Sequence, residues 1–165
     1  MTPRHEIRLR FARWMSVLAA LLMLGTAASP WVTLGFNITH SLDGFLVVIL
    51  KKGSPEKVEL AAIYPPPNDF FKRHYFVKRI TGVPGDLVIR EGRTFYIDDG
   101  HARVLIGEAK RYSQTGVILR AAKEGKIPDG HVFVSTPHKD SFDSRYAQLG
   151  WIPQRSIFGR AIRVF

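Results

Sequence analysis

F-V-K-R-I-T-G-V-P-G-D, Phe76 to Asp86, joins a strand-like run to a tight turn. Phe76, Val77 and Ile80 suit a half-buried pleated surface. V-P-G-D, Val83 to Asp86, is a type II turn signal: Pro84 presets φ and Gly85 supplies the positive φ that follows. The anomaly is Lys78, set in the middle of the run where an apolar residue would pack better. Two readings are open. Lys78 lies on an exposed strand face or snorkels over apolar neighbours, or it is desolvated and does chemistry.

Turns of the same kind punctuate the chain on both sides. F-L-V-V-I-L-K, Phe45 to Lys51, reads as a short apolar strand. Tyr64 to Asn68 cannot be regular structure, because its three prolines lack donors. Tyr75 to Ile80 is a strand. Leu87 to Arg90 and Thr94 to Asp98 alternate as a hairpin around Glu91-Gly92, and Asp99-Gly100 marks a second hairpin turn. Val117 to Arg120 is a further candidate strand, and Ala121 to Lys126 a single helical turn. I-P-D-G, Ile127 to Gly130, turns into a strand at His131 to Ser135, and Ser156 to Phe165 closes the chain as the last strand. Helical periodicity is weak after residue 36. The predicted fold of that part is mostly β, built of short strands and hairpins.

The N-terminus reads differently. Arg4, Arg8, Arg10 and Arg13 stand against a single Glu6, and the 21 residues from Trp14 to Leu34 carry no charge. As one helix they measure about 31 Å, enough for a hydrocarbon core of about 30 Å. Trp14 and Trp31 lie near the two ends, where indoles favour the interface, and the preceding arginines keep that end in the cytoplasm. The expected organisation is a cytoplasmic basic segment at residues 1–13, a transmembrane anchor at 14–34 and an extracytoplasmic β domain at 35–165. A cleaved signal peptide, with Met15 to Leu24 as its apolar region and Gly25 to Ser29 as its small residues, is a second reading. A buried core helix is a third.

Composition narrows the chemistry. With no cysteine among 165 residues, disulfides, thiolate catalysis and Cys-based zinc sites are excluded. The net charge of +10 comes from Lys and Arg scattered along the chain, without interleaved aromatics, so no nucleic-acid partner is expected. The six histidines lack metal-ligand spacing, and H-E-x-x-H, G-x-S-x-G and P-loop patterns are missing. No metal or cofactor is expected. A Ser-His-Asp triad stays open on spacing, because triads assemble in space, but nothing local argues for one; a serine with a lysine base is the other nucleophilic arrangement. That pair needs an exposed serine, a lysine kept neutral by burial, and donors awaiting the oxyanion. Ser41 and Lys78 are the candidates, although an ordinary surface serine and an ordinary strand lysine fit the spacing equally well.

Three stretches in order sharpen this reading: N-I-T-H-S-L-D-G (Asn37 to Gly44), V-K-R-I-T-G-V-P-G-D (Val77 to Asp86) and S-F-D-S-R-Y-A-Q-L-G-W-I-P (Ser141 to Pro153). Together with the upstream apolar span they resemble the sequence boxes of the type I signal peptidases, membrane-anchored Ser/Lys proteases, and within them the TraF-like peptidases of conjugative transfer. The resemblance implies Ser41 as nucleophile and Lys78 as general base. It implies the Ser41 N–H and the Thr39 hydroxyl as oxyanion donors, and Ser141 as the hydroxyl that orients the lysine. It implies an Asp143–Arg145 ion pair that braces the catalytic region, and a structural turn at Gly82, Pro84, Gly85 and Asp86. The implied substrate is an exported preprotein or pro-pilin, with membrane lipid as the other partner. The implied location is the bacterial inner membrane, spanned once, with the catalytic domain on the periplasmic side. Leu42, Asp43 and Gly44 depart from the family, which places Met and a nearby Pro after the serine, or Ser-x-Pro-x-Gly in the transfer branch. S-T-P-H-K-D, Ser135 to Asp140, likewise replaces a G-D-N-type lead into D-S-R. General secretory processing, and a non-enzymatic membrane-anchored β module that binds an envelope partner, are the alternatives.

Overall fold

A computed structural model of the chain describes residues 3–36, 46–66 and 75–164. Among these residues helix α1 spans Pro3–Ala28, and eleven strands follow: β1 (Val32–Phe36), β2 (Leu46–Leu50), β3 (Leu60–Ile63), β4 (Phe76–Gly82), β5 (Leu87–Glu91), β6 (Thr94–Asp98), β7 (Arg103–Glu108), β8 (Gly125–Lys126), β9 (His131–Ser135), β10 (Ile152–Pro153) and β11 (Ile157–Arg163). They form two antiparallel sheets, a seven-stranded one ordered β1-β2-β11-β3-β4-β9-β10 and a four-stranded one ordered β7-β6-β5-β8. The mostly β expectation therefore holds.

Several local expectations are corrected. The uncharged run from Trp14 to Leu34 is not one helix. It breaks after Ala28, and from Val32 the chain pairs antiparallel with β2. Ala121 to Lys126 makes no helical turn: Ala121 bridges Tyr146, and Gly125–Lys126 joins the edge of β5. Val117 to Arg120 is no strand, and there Ile118 makes only an isolated bridge to Tyr112. Among the described residues no helix is long and apolar enough to cross a membrane.

The apolar rows that do hold the sheets follow the two-residue strand period. On β4, Lys78, Ile80 and Gly82 point inward while Val77, Arg79 and Thr81 are half-buried. Ile80 joins Ala61, Ile63, Val132, Val134, Leu149 and Ile152 in one core cluster. The V-P-G-D turn closes as expected, with the Asp86 N–H donating to the Val83 carbonyl at 3.1 Å and Gly85 at φ 95°. The Asp86 carboxylate also accepts the Val83 N–H at 3.0 Å, so the turn is tied twice. Lys57 reaches Asp86 at 2.9 Å and Asp99 at 3.0 Å, strapping this turn to the end of β6.

Next to that lysine, Val58 sits at φ 76°, a left-handed conformation that a β-branched side chain rarely adopts. Its side chain is exposed, so little packing is lost on truncation. The strain relieved by Val58→Gly, about 1–2 kcal/mol, exceeds the entropy gained by the unfolded chain, about 0.4–1 kcal/mol. The variant is expected to be more stable by roughly 0.5–1 kcal/mol, read as an upward shift of the denaturant midpoint at constant slope. A downward shift would contradict this.

Candidate active site

Lys78 occupies the inward row of β4, opposite Ala61 of β3, and only 4% of it is exposed. β4 pairs with β3 through Lys78 itself and with β9 from Arg79 onward, so the strand that carries the lysine is held on both edges. Its Nζ donates to Ser141 Oγ at 2.7 Å and lies 6.0 Å from the Phe76 ring centroid. Burial pushes its pKa down to about 8. The Asp143 carboxylate opposes that shift and the Arg145 guanidinium adds to it. An amine that gives up its proton near neutrality can act as a base, which an ordinary surface lysine cannot.

Ser141 lies in the loop after β9, fully buried, with its N–H on the His138 carbonyl at 3.0 Å. Two residues on, Asp143 takes Arg145 in a fork: Nε to Oδ1 and Nη2 to Oδ2, both at 2.8 Å. Neither member of this pair is accessible to solvent beyond 2%. The remaining donors of Arg145 meet main-chain carbonyls of Ser141 at 3.2 Å, His138 at 3.4 Å and Glu108 at 3.2 Å. Burial works to lower the guanidinium pKa, and the hydrogen bonds and charge of Asp143 more than offset it. The pair thus ties the loop at His138 and Ser141 to the end of β7 at Glu108.

The fold brings Lys78, Ser141, Asp143 and Arg145 into one buried cluster. Gly82 ends β4 at a bulge against β9, and Pro84, Gly85 and Asp86 form the turn beyond it. Thr39 and Ser41 lie outside the described residues, as do Leu42, Asp43 and Gly44. Sequence reasoning missed three supports. Gly107 on β7 has φ 130°, and a Cβ there would stand 3.0 Å from Arg145 Nη1. His138, within the unusual S-T-P-H-K-D stretch, supplies the carbonyl that holds Ser141. Ser144 hydrogen-bonds β9 with its side chain at 3.0 Å. A glycine inside the strand-like R-V-L-I-G-E was the one available signal, since such glycines mark bulges or close approaches.

No curated protein sequence matches the chain. Among solved structures, a signal peptidase I from Enterococcus faecalis V583 is similar at 25% identity, over 66% of this chain and 97% of that one, with a TM-score of 0.41. The family profile described as signal peptidase, peptidase S26, matches residues 7–165, nearly the whole chain. The chain belongs to the signal peptidase family, the S26 peptidases, and is a serine-type endopeptidase that cleaves precursor proteins.

Proposed function

We propose that the chain is a membrane-anchored Ser/Lys endopeptidase that matures exported precursors, and that pilin or conjugative-transfer subunits are its substrates. The observation that carries this reading is Lys78, buried, hydrogen-bonded to Ser141 and held at a pKa of about 8. Ser41 Oγ attacks the scissile carbonyl while Lys78 Nζ accepts its proton. The Ser41 N–H and the Thr39 hydroxyl receive the oxyanion. Lys78 then returns the proton to the leaving amine, and an acyl-enzyme remains on Ser41. Water resolves it to a linear product, with Lys78 again taking the proton. The N-terminal amine of the same substrate would resolve it to a cyclised one. Ser141 aims the lysine, and the Asp143–Arg145 pair holds the loop that carries Ser141.

Two observations support the anchor; the bacterial inner-membrane location, with the catalytic domain on the periplasmic side, follows from the family resemblance and from the arginines before the span. Every described side chain of α1 is exposed, among them the apolar Trp14, Leu18, Leu21 and Leu24. The outer face of β1-β2-β11 is apolar as well. Leu34 and Ile162 flank Val48 in one row and are exposed, and Lys52 stands over the Trp31 ring at 5.5 Å. Apolar surface of this kind, edged with cations, suits a bilayer interface.

Cleavage of a co-expressed pilin-like precursor in membranes, comparing the parent with Ser41→Ala, tests the reading. The variant is expected to leave the precursor uncut at equal protein level, and the product mass of the parent separates linear cutting from cyclisation. Equal processing by both would remove Ser41 from the mechanism. Processing of a secretory precursor but not of the pilin would move the substrate to general secretion.

A further inference from the structure

Ser144 is fully buried between the two residues of the Asp143–Arg145 pair, and that pairing does not use its side chain. Its Oγ accepts the Val134 N–H at 3.0 Å, and its own N–H donates to the Val134 carbonyl at 3.0 Å. Residue 144 therefore satisfies both backbone groups of Val134, as a strand neighbour would. Beside it, Asp143 Oδ2 accepts the Thr136 N–H at 3.4 Å. Val134 is paired on its other side with Ile80 of β4, two residues from Lys78. The loop is thus hydrogen-bonded to β9, and β9 is paired with the strand that carries the lysine.

We infer that Ser144 is a positioning residue: its hydroxyl and backbone set the register of the 141–145 loop against β9, and so hold Ser141 on Lys78. The inference rests on the reading of Lys78 as general base. Ser141 and Lys78 belong to segments 63 positions apart, and Lys78 itself supplies just one bond between them. Ser144 supplies two, through a strand whose place beside β4 is already fixed. Without its hydroxyl the buried Val134 N–H has no acceptor. The loop then lifts from β9, water enters beside Lys78, and the desolvation that depresses the amine is relieved.

The test titrates the side-chain nitrogen of Lys78 by NMR in the full-length chain labelled with ¹⁵N-lysine, the signal assigned by its loss in Lys78→Met. The variants are Ser144→Ala and Ser144→Cys, the latter keeping volume with a weak acceptor. The Lys78 midpoint is expected to rise by at least about half a unit, and the acid limb of kcat/KM for precursor cleavage to rise with it. Ile97→Val, a core truncation on β6, should lower Tm and move neither. Folded serine variants with an unmoved midpoint would overturn the inference, as would failure of both to fold, since the hydroxyl would then be a stability element. A shifted midpoint in a protein whose Lys78→Met variant still cleaves would sink the general base and leave the positioning intact.

Discussion

Lys78→Met is expected to reduce kcat/KM on a precursor by at least about 10⁴-fold while the domain stays folded. A general base alone contributes about 10²–10⁴, and members of a nucleophile–base pair fail together, which places the loss at the upper end or beyond. Methionine matches the stem of the lysine in length and carries no charge to desolvate, so the inward row of β4 keeps its packing. The Ser141 hydroxyl loses its partner, at a cost of about 1–3 kcal/mol. Thermal melts should therefore separate lost chemistry from lost fold. The parent enzyme supplies the second half of the argument. With Lys78 at about 8, only roughly a tenth of the amine is neutral at pH 7, and the neutral fraction climbs through pH 8. Activity should rise with pH along an acid limb centred near 8. Wild-type turnover in Lys78→Met, or a flat profile between pH 6 and about 9 in the parent, would remove the lysine from the mechanism.

Lys78 could be suspected from sequence because a cation in an apolar strand demands a reason, and V-P-G-D fixes where that strand stops. The hairpin of β5 and β6 was equally legible, since Gly92 at φ 62° turns between Glu91 and Thr94 where the alternation breaks. β3 was not. L-A-A-I has weak strand propensity, and it is a strand because β4 and β11 pair with it on both edges. β1 hid inside an apolar run that reads as helix by hydropathy alone, and pairing with β2 decides it. The site divides in the same way. Asp143 and Arg145 are two residues apart, so their pairing was within local reach. The carbonyls of Glu108 and His138 that complete the arginine, and the grip of Ser144 on β9, are tertiary contacts with no local signal.

Asp143→Asn is expected to be the most destabilising single change in the site, by about 3–5 kcal/mol, because it leaves Arg145 buried without its counter-charge. For a chain of this size that corresponds to a fall in Tm of roughly 6–20 °C. Its effect on activity separates two roles for the pair. The Asp143 charge favours the protonated form of Lys78, and the Arg145 charge disfavours it. If the pair acted only through charge, Asp143→Asn would lower the Lys78 pKa further, move the acid limb to lower pH and raise activity at pH 7. If the pair braces the loop, the guanidinium leaves the Ser141 and His138 carbonyls and activity falls at every pH. The hydrogen bonds of Arg145 to three main-chain carbonyls predict the second outcome. An acid limb displaced downward with undiminished maximal rate would establish the first. The double variant Asp143→Leu with Arg145→Met removes both charges and is expected to regain much of the lost stability, as buried pairs replaced by apolar residues commonly do. It should not regain activity, because no apolar side chain can hold the carbonyl of Ser141 in place.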